Sequence, residues 1–161
     1  CLNLAGIEGF DIGGVVHVVA NNLVGFTASP SQTQSSRYST DVAKRNPVPI
    51  WHVNAESPED VVRVGRMAMN YRSEFKSDVV IDLIGYRRFG HNEGDDPTFT
   101  LPTLYHQIEK HPYLYQSYGK QLGMTDEQIK ATEEKLFEQL TAERDGAQKM
   151  TKKASFFSLP E

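Results

Sequence analysis

Two stretches of the chain carry residue types that could do chemistry. The first is Asn21-Asn22-Leu23-Val24-Gly25-Phe26-Thr27, directly after the apolar run Val15 to Ala20. A hard cation such as Mg²⁺ takes oxygen ligands in near-octahedral geometry. An asparagine amide can supply one ligand and a main-chain carbonyl two residues later another, and Gly25 lets the backbone turn sharply there. Diphosphate oxygens and water usually complete such a shell. Asparagine also ends strands for a plainer reason, because its amide satisfies neighbouring backbone groups. The second stretch is Tyr86-Arg87-Arg88-Phe89-Gly90-His91-Asn92-Glu93-Gly94-Asp95-Asp96-Pro97. Its two arginines, histidine and glycine-freed N–H groups could hold phosphate oxygens. Its acids, Glu93, Asp95 and Asp96, oppose that for the whole length and could instead organise the loop through Arg87 or Arg88. An EF-hand calcium loop is excluded, because no glutamate falls at the closing position.

The elements that must position these stretches are legible in outline. Residues 1–14, with four glycines, read as a helix end and a turn. Val15 to Ala20, a β-branched run broken only by His17, reads as a strand buried on both faces. A polar loop follows from Thr27 to Ser39, then a short helical stretch over Asp41 to Arg45 and a strand from Pro49 to Val53. A helix opens at Ser57 as cap, with Pro58 first and Glu59 and Asp60 at the positive dipole end. Val61, Val64, Ala68, Tyr71 and Phe75 form its apolar stripe. Asp78 to Tyr86 is a third strand, and residues 87–102 form a loop. Residues 103–145 read as helical throughout, with Thr125 and Gln128 as a capping box and Ile129, Leu136 and Leu140 as anchors. The tail from Lys149 has no clear period. Strands alternating with helices predict an α/β fold with a mainly parallel sheet. Both chemical stretches then fall at the carboxyl edge, where such sheets bind ligands.

Composition narrows the function classes. The chain has 161 residues and a net charge of −4 with acids and bases interspersed, so it has room for one real core. That balance gives no footprint for nucleic acid or an anionic membrane. The single cysteine, Cys1, forms no internal disulfide, suggests no zinc site and fits a reducing compartment. The longest apolar run is too short to span a bilayer. No signal peptide is legible, and a start at Cys1 leads us to expect a natural N-terminus further upstream. No Lys-Ser or Lys-Thr phosphate loop, no G-x-G-x-x-G after a strand and no G-x-S-x-G elbow occurs. His52, His106 and His111 have no obvious partners, and Tyr113, Tyr115 and Tyr118 read as packing residues.

Together the two stretches resemble a known family. His17 to Thr27 resembles the second half of the thiamine diphosphate motif, in which an Asn-Asn pair ends the metal-binding segment. Tyr86 to Pro97, continued by Thr100, Pro102 and Tyr105, resembles the decarboxylase (E1) component of 2-oxoglutarate dehydrogenase. So do Tyr38, Thr40-Asp41, Ala43-Lys44, Pro49-Ile50, His52-Val53-Asn54 and Asp78 to Leu83. The likeness runs from about Leu2 to Pro112, and the His-Asn-Glu loop separates this family from pyruvate dehydrogenases and transketolases. The chain departs from the family at Gln32-Thr33-Gln34-Ser35, where Asp-Ser-Arg-Ser is usual, and at Leu23 and Leu101, where glutamine is usual.

The resemblance implies a parallel-sheet thiamine diphosphate fold. Residues 1–112 would be part of the diphosphate-binding domain and 113–161 a helical extension towards a pyrimidine-binding domain. It implies thiamine diphosphate and Mg²⁺ as cofactors, with Asn22 giving its side-chain oxygen and Val24 its main-chain carbonyl to the metal, both lying against the diphosphate. His91 would approach the same group, and the family's metal-binding aspartate would lie just ahead of Cys1. The implied activity is oxidative decarboxylation of 2-oxoglutarate, with thiamine carrying the chemistry. The succinyl group would pass to the lipoyl arm of the succinyltransferase component. A homodimer, and a bacterial cytoplasm or mitochondrial matrix, are also implied. The 161 residues alone would be inactive. Two rivals stand beside this reading: a decarboxylase for another 2-oxo acid such as 2-oxoadipate, and a non-catalytic α/β module in which Asn22 merely ends a strand.

Overall fold

The computed structural model describes residues 2–23, 25 and 28–149. Two compact units divide the chain, residues 1–114 and 115–161. The first runs β1 (Val16–Asn21), α1 (Pro30–Thr33), a 3-10 helix (Ser39–Arg45), β2 (Ile50–Asn54), α2 (Pro58–Phe75), β3 (Val79–Ile84) and α3 (Pro102–Lys110). The strands pair in parallel in the order β1-β3-β2. The expected α/β fold is thus present. Val16 to Asn21 lie opposite Val79 to Ile84, and Ile50 to Asn54 lie opposite Val80 to Ile84.

The strand buried on both faces is β3, whose residues from Val79 to Asp82 are all buried. The same expectation for Val15 to Ala20 is not met. Among the described strands β1 lies at an edge, and Val18 is 60 % exposed. A β-branched run signals a strand but not its place in the sheet.

Alternation along β3 separates two environments. Val79, Ile81 and Leu83 meet α2, where Val53 and Ala68 complete a core flanked by Val16, Trp51, Val61, Val64 and Tyr71. Each buried valine or isoleucine side chain there contributes about 1.5–3 kcal/mol. Trp51 meets Tyr71 edge-on, with ring centroids 5.8 Å apart. Phe75, expected in this stripe, is exposed and leans on Tyr71. The other face of β3 carries Asp78, Val80 and Asp82 and meets the 3-10 helix, whose Thr40 and Ala43 are buried.

Local signals set the helix ends. Pro58 opens α2 as expected, but the Ser57 hydroxyl donates to Asp60 (2.7 Å) instead of capping a main-chain N–H. Lys76, at φ 52, closes the helix with its N–H on the Arg72 carbonyl. Residues 2–9 form turns, with Ile7 N–H on Leu4 O and Phe10 N–H on Ile7 O, rather than a helix end.

The helical C-terminal part is present as three helices, α3, α4 (Leu114–Gln121) and α5 (Asp126–Lys149), with breaks at 111–113 and 122–125 where residues 103–145 read as helical throughout. In the second unit the Thr125–Gln128 capping box forms as expected. The Thr125 N–H reaches Gln128 Oε1 at 2.9 Å, and the Gln128 N–H reaches Thr125 Oγ1 at 3.3 Å. Ile129 is buried and packs over Gly119. Leu136 and Leu140, expected as anchors, are exposed, and further along α5 Glu133 accepts the Tyr115 hydroxyl at 2.8 Å. The stretch from 150 on lies outside the described residues. Among those described, no helix is long and apolar enough to cross a membrane.

Candidate functional site

Parallel pairing brings the ends of all three strands to one edge. The Gly85 N–H donates to Asn21 O, and the Ala55 N–H to Ile84 O, both at 2.8 Å, so the segments leaving the strands start from a fixed frame. Asn22 is exposed at this edge. Val24, the second expected ligand, lies outside the described residues.

Asn21 helps to hold the turn after β1. The Asn21 Oδ1 accepts the Leu23 N–H at 3.1 Å. Leu23 sits at φ 58, a left-handed conformation that costs an ordinary L-residue about 1–2 kcal/mol. Gly25 then passes so close to α1 that a Cβ there would fall 2.4 Å from Thr33 Cγ2. α1 itself is capped by Gln32, whose Oε1 accepts from the Ser29 N–H at 2.9 Å. Beside the turn lies a recess of ≈ 520 Å³ walled by Asn21, Leu23, Gly25, Thr33, Ser36 and Ser39. Behind it, the Lys44 ammonium 2.7 Å away and the Tyr38 N–H hold the Asp41 carboxyl below the usual carboxylate range.

The second stretch is organised by main-chain contacts. Arg87 donates to the carbonyls of Phe89 (3.1 Å) and His91 (2.7 Å). Arg88 donates to the carbonyls of Ile108, His111 and Pro112 and to the Tyr86 hydroxyl, and its guanidinium lies 4.3 Å from the centroid of the Tyr113 ring. The acids also take backbone donors: Asp95 accepts the His91 N–H at 2.8 Å and Asp96 the Thr98 N–H at 2.9 Å. The Thr98 hydroxyl and N–H keep the Asp96 carboxyl below the usual carboxylate range. Asp95 and Asp96 thus brace the loop through N–H groups and not through Arg87 or Arg88, the expected partners, whose guanidinium groups are turned to carbonyls.

Sequence reasoning missed a buried carboxylate. Asp82, 0 % exposed, accepts His52 Nδ1 at 2.8 Å and Thr40 Oγ1 at 3.1 Å on Oδ2. Asn21 Nδ2 lies 3.4 Å from its Oδ1. At the opposite end of β3, Asp78 accepts His17 Nε2 and the Val15 N–H, each at 2.9 Å. His111, also read as partnerless, meets Glu56 at 2.8 Å. The signal was an acid inside a β-branched run: a carboxylate in a buried strand must find donors or carry a large desolvation cost.

Strand order and parallel pairing together define an α/β domain of the parallel-sheet class. The chain belongs to the dehydrogenase E1 component family, which matches residues 1–157. It is 50% identical over 121 residues, 75% of its length, to a probable 2-oxoadipate dehydrogenase complex component E1 homolog of Dictyostelium discoideum. It is 43% identical over 148 residues to a 2-oxoglutarate dehydrogenase E1 component of Exiguobacterium sp. and 41% identical over 163 to one of Geobacillus sp., covering 89% and 99% of this chain. The chain spans 13%, 16% and 17% of the lengths of these three relatives.

Proposed function

We propose that the protein carrying this chain is the decarboxylase component of a 2-oxoglutarate dehydrogenase complex, with thiamine diphosphate and Mg²⁺ held at the carboxyl edge of the sheet. Membership of the E1 family supports a 2-oxo acid dehydrogenase role in general. The observation that carries the cofactor site is the Asn21–Leu23 turn, which puts an exposed amide, Asn22, at the edge of a parallel sheet beside a recess.

The donor set fits a hard, oxygen-preferring ion. Asn22 offers an amide oxygen, and the Asn21 oxygen is turned to the Leu23 N–H. No group of three His, Cys, Asp or Glu side chains suited to a metal occurs among the described residues. An ion here would take the Asn22 amide and the Val24 carbonyl as this chain's ligands, beside diphosphate oxygens and the aspartate expected ahead of Cys1. When bound, thiamine supplies the carbon centre that decarboxylates a 2-oxo acid. The chain's own part is to orient and hold: Asn22 and Val24 fix the metal and diphosphate, and the Arg87-braced loop carries His91 towards the same edge.

The substrate would be 2-oxoglutarate, the acceptor the lipoyl arm of the succinyltransferase component, the assembly a homodimer, and the setting a bacterial cytoplasm or mitochondrial matrix. The 161 residues by themselves would be inactive. A second reading, 2-oxoadipate as substrate, draws on the 50% identity to the Dictyostelium homolog, which a 2-oxoglutarate dehydrogenase E1 component of Staphylococcus saprophyticus equals. The test of the site is Asn22→Ala in the complete protein. Loss of a direct ligand should weaken Mg²⁺-dependent thiamine diphosphate binding by roughly 100-fold or more, with the circular dichroism spectrum unchanged. Unaltered cofactor affinity would remove Asn22 from the site.

A further inference from the structure

We propose that Asp82 is a positioning residue for the cofactor turn: its buried carboxylate fixes which way the Asn21 amide faces and, through Asn21, holds Leu23 in its left-handed conformation. This rests on the reading of Asn22 as a metal ligand.

An asparagine amide has two faces that differ in chemistry but hardly in shape, a carbonyl that accepts and an NH₂ that donates. A carboxylate only accepts. The Asn21 face turned to Asp82 must therefore be the NH₂, which lies 3.4 Å from Asp82 Oδ1 and 3.3 Å from Ser39 Oγ. The carbonyl is left to point along the chain, where it takes the Leu23 N–H at 3.1 Å. The other amide orientation would set carbonyl against carboxylate and NH₂ against N–H. The conformation of Leu23 is unfavourable by itself, so it needs a bond that only one orientation supplies. Asp82 is suited to impose that orientation because it cannot move or trade its partners for water. It lies on the central strand, it is 0 % exposed, and Thr40 and His52 occupy its second oxygen. Tyr38 stacks on the His52 ring with centroids 3.9 Å apart, closing the cluster from outside.

The test uses the complete protein and reads the Kd for thiamine diphosphate at a series of Mg²⁺ concentrations, with thermal unfolding beside it. Asp82→Asn keeps the size of the side chain but can donate, so it no longer dictates the Asn21 orientation. It should raise the Kd roughly tenfold or more, while the KM for the 2-oxo acid at saturating cofactor stays as in the wild type. Asn21→Ala should do the same, and the double variant should bind no worse than Asn21→Ala alone, because both act through one turn. A Kd that stays at the wild-type value in Asp82→Asn, or effects that add in the double variant, would overturn the proposal. If Asp82→Asn does not fold, Asn21→Ala decides: a raised Kd in the folded variant supports the proposal and an unchanged one ends it. Failure of the underlying reading looks different. There, the wild-type protein binds thiamine diphosphate without regard to Mg²⁺, or Asn22→Ala binds it normally.

Discussion

Two glycines show how much a single hydrogen-to-methyl change can cost at this edge, and why the cost differs. At Gly90 a Cβ would meet main chain, 2.2 Å from Asp95 O, so the 90–95 loop would have to open. At Gly25 the close obstacle is a side-chain methyl, Thr33 Cγ2 at 2.4 Å, with the Ala28 carbonyl at an ordinary 3.4 Å. Overpacking of this kind costs about 1–3 kcal/mol. We expect Gly90→Ala to speed amide exchange over residues 91–95 roughly tenfold. Gly25→Ala should loosen the turn between Gly25 and Ala28, and Thr33→Ser should restore it by removing the obstructing methyl. Wild-type exchange in Gly90→Ala would show that the loop does not depend on the close approach. The residue types of both stretches were legible in the sequence, but their partners were not. Arg87 and Arg88 bind carbonyls, and a carbonyl leaves no trace in a sequence because every residue has one. His52 meets Asp82 across 30 positions, beyond any local pattern.

Elements were legible where the signal is local. The three strands and α2 lie within a residue or two of their expected bounds, because β-branched runs and a 3.6-residue stripe are properties of the segment itself. The Thr125–Gln128 box is local too and was found. The Ser29–Gln32 box was not, because no apolar periodicity follows it to announce a helix. The break between α3 and α4 depends on Arg88, which draws the carbonyls of Ile108, His111 and Pro112 together from 20 or more residues away. At this scale we expect Thr125→Ala to cost about 1 kcal/mol in the first turn of α5, seen as roughly fivefold faster exchange of the Gln128 and Ile129 amides. No change there would mean that Ile129 packing alone starts the helix.

For the whole molecule, the family was legible and the substrate was not. The two stretches that gave most of the likeness leave the carboxyl edge of the sheet, and the cofactor proposed there would serve enzymes for several 2-oxo acids. Relatives named for 2-oxoglutarate and for 2-oxoadipate match the chain at 41–50% identity. A direct comparison of kcat/KM in the complete protein separates them. Our reading expects 2-oxoglutarate to be preferred by at least roughly tenfold, since one methylene in a fitted pocket is worth about 1–3 kcal/mol. A preference for the longer acid would transfer the assignment to the second reading.

The strand order has a consequence in time as well as in space. β2 finds its neighbour β3 about 30 residues further along the chain, but β1 pairs with the same strand across 63. At roughly 5–20 residues per second of synthesis, β1 leaves the ribosome several seconds before the strand that completes its ladder. Closing the longer loop also carries the larger entropy cost. β2, α2 and β3 thus form the first cooperative piece, and β1 docks onto it last. The asparagine pair at the end of β1 therefore reaches its place only when β2 and β3 have already paired, so the forming of the Asn21–Leu23 turn and the docking of β1 are one event.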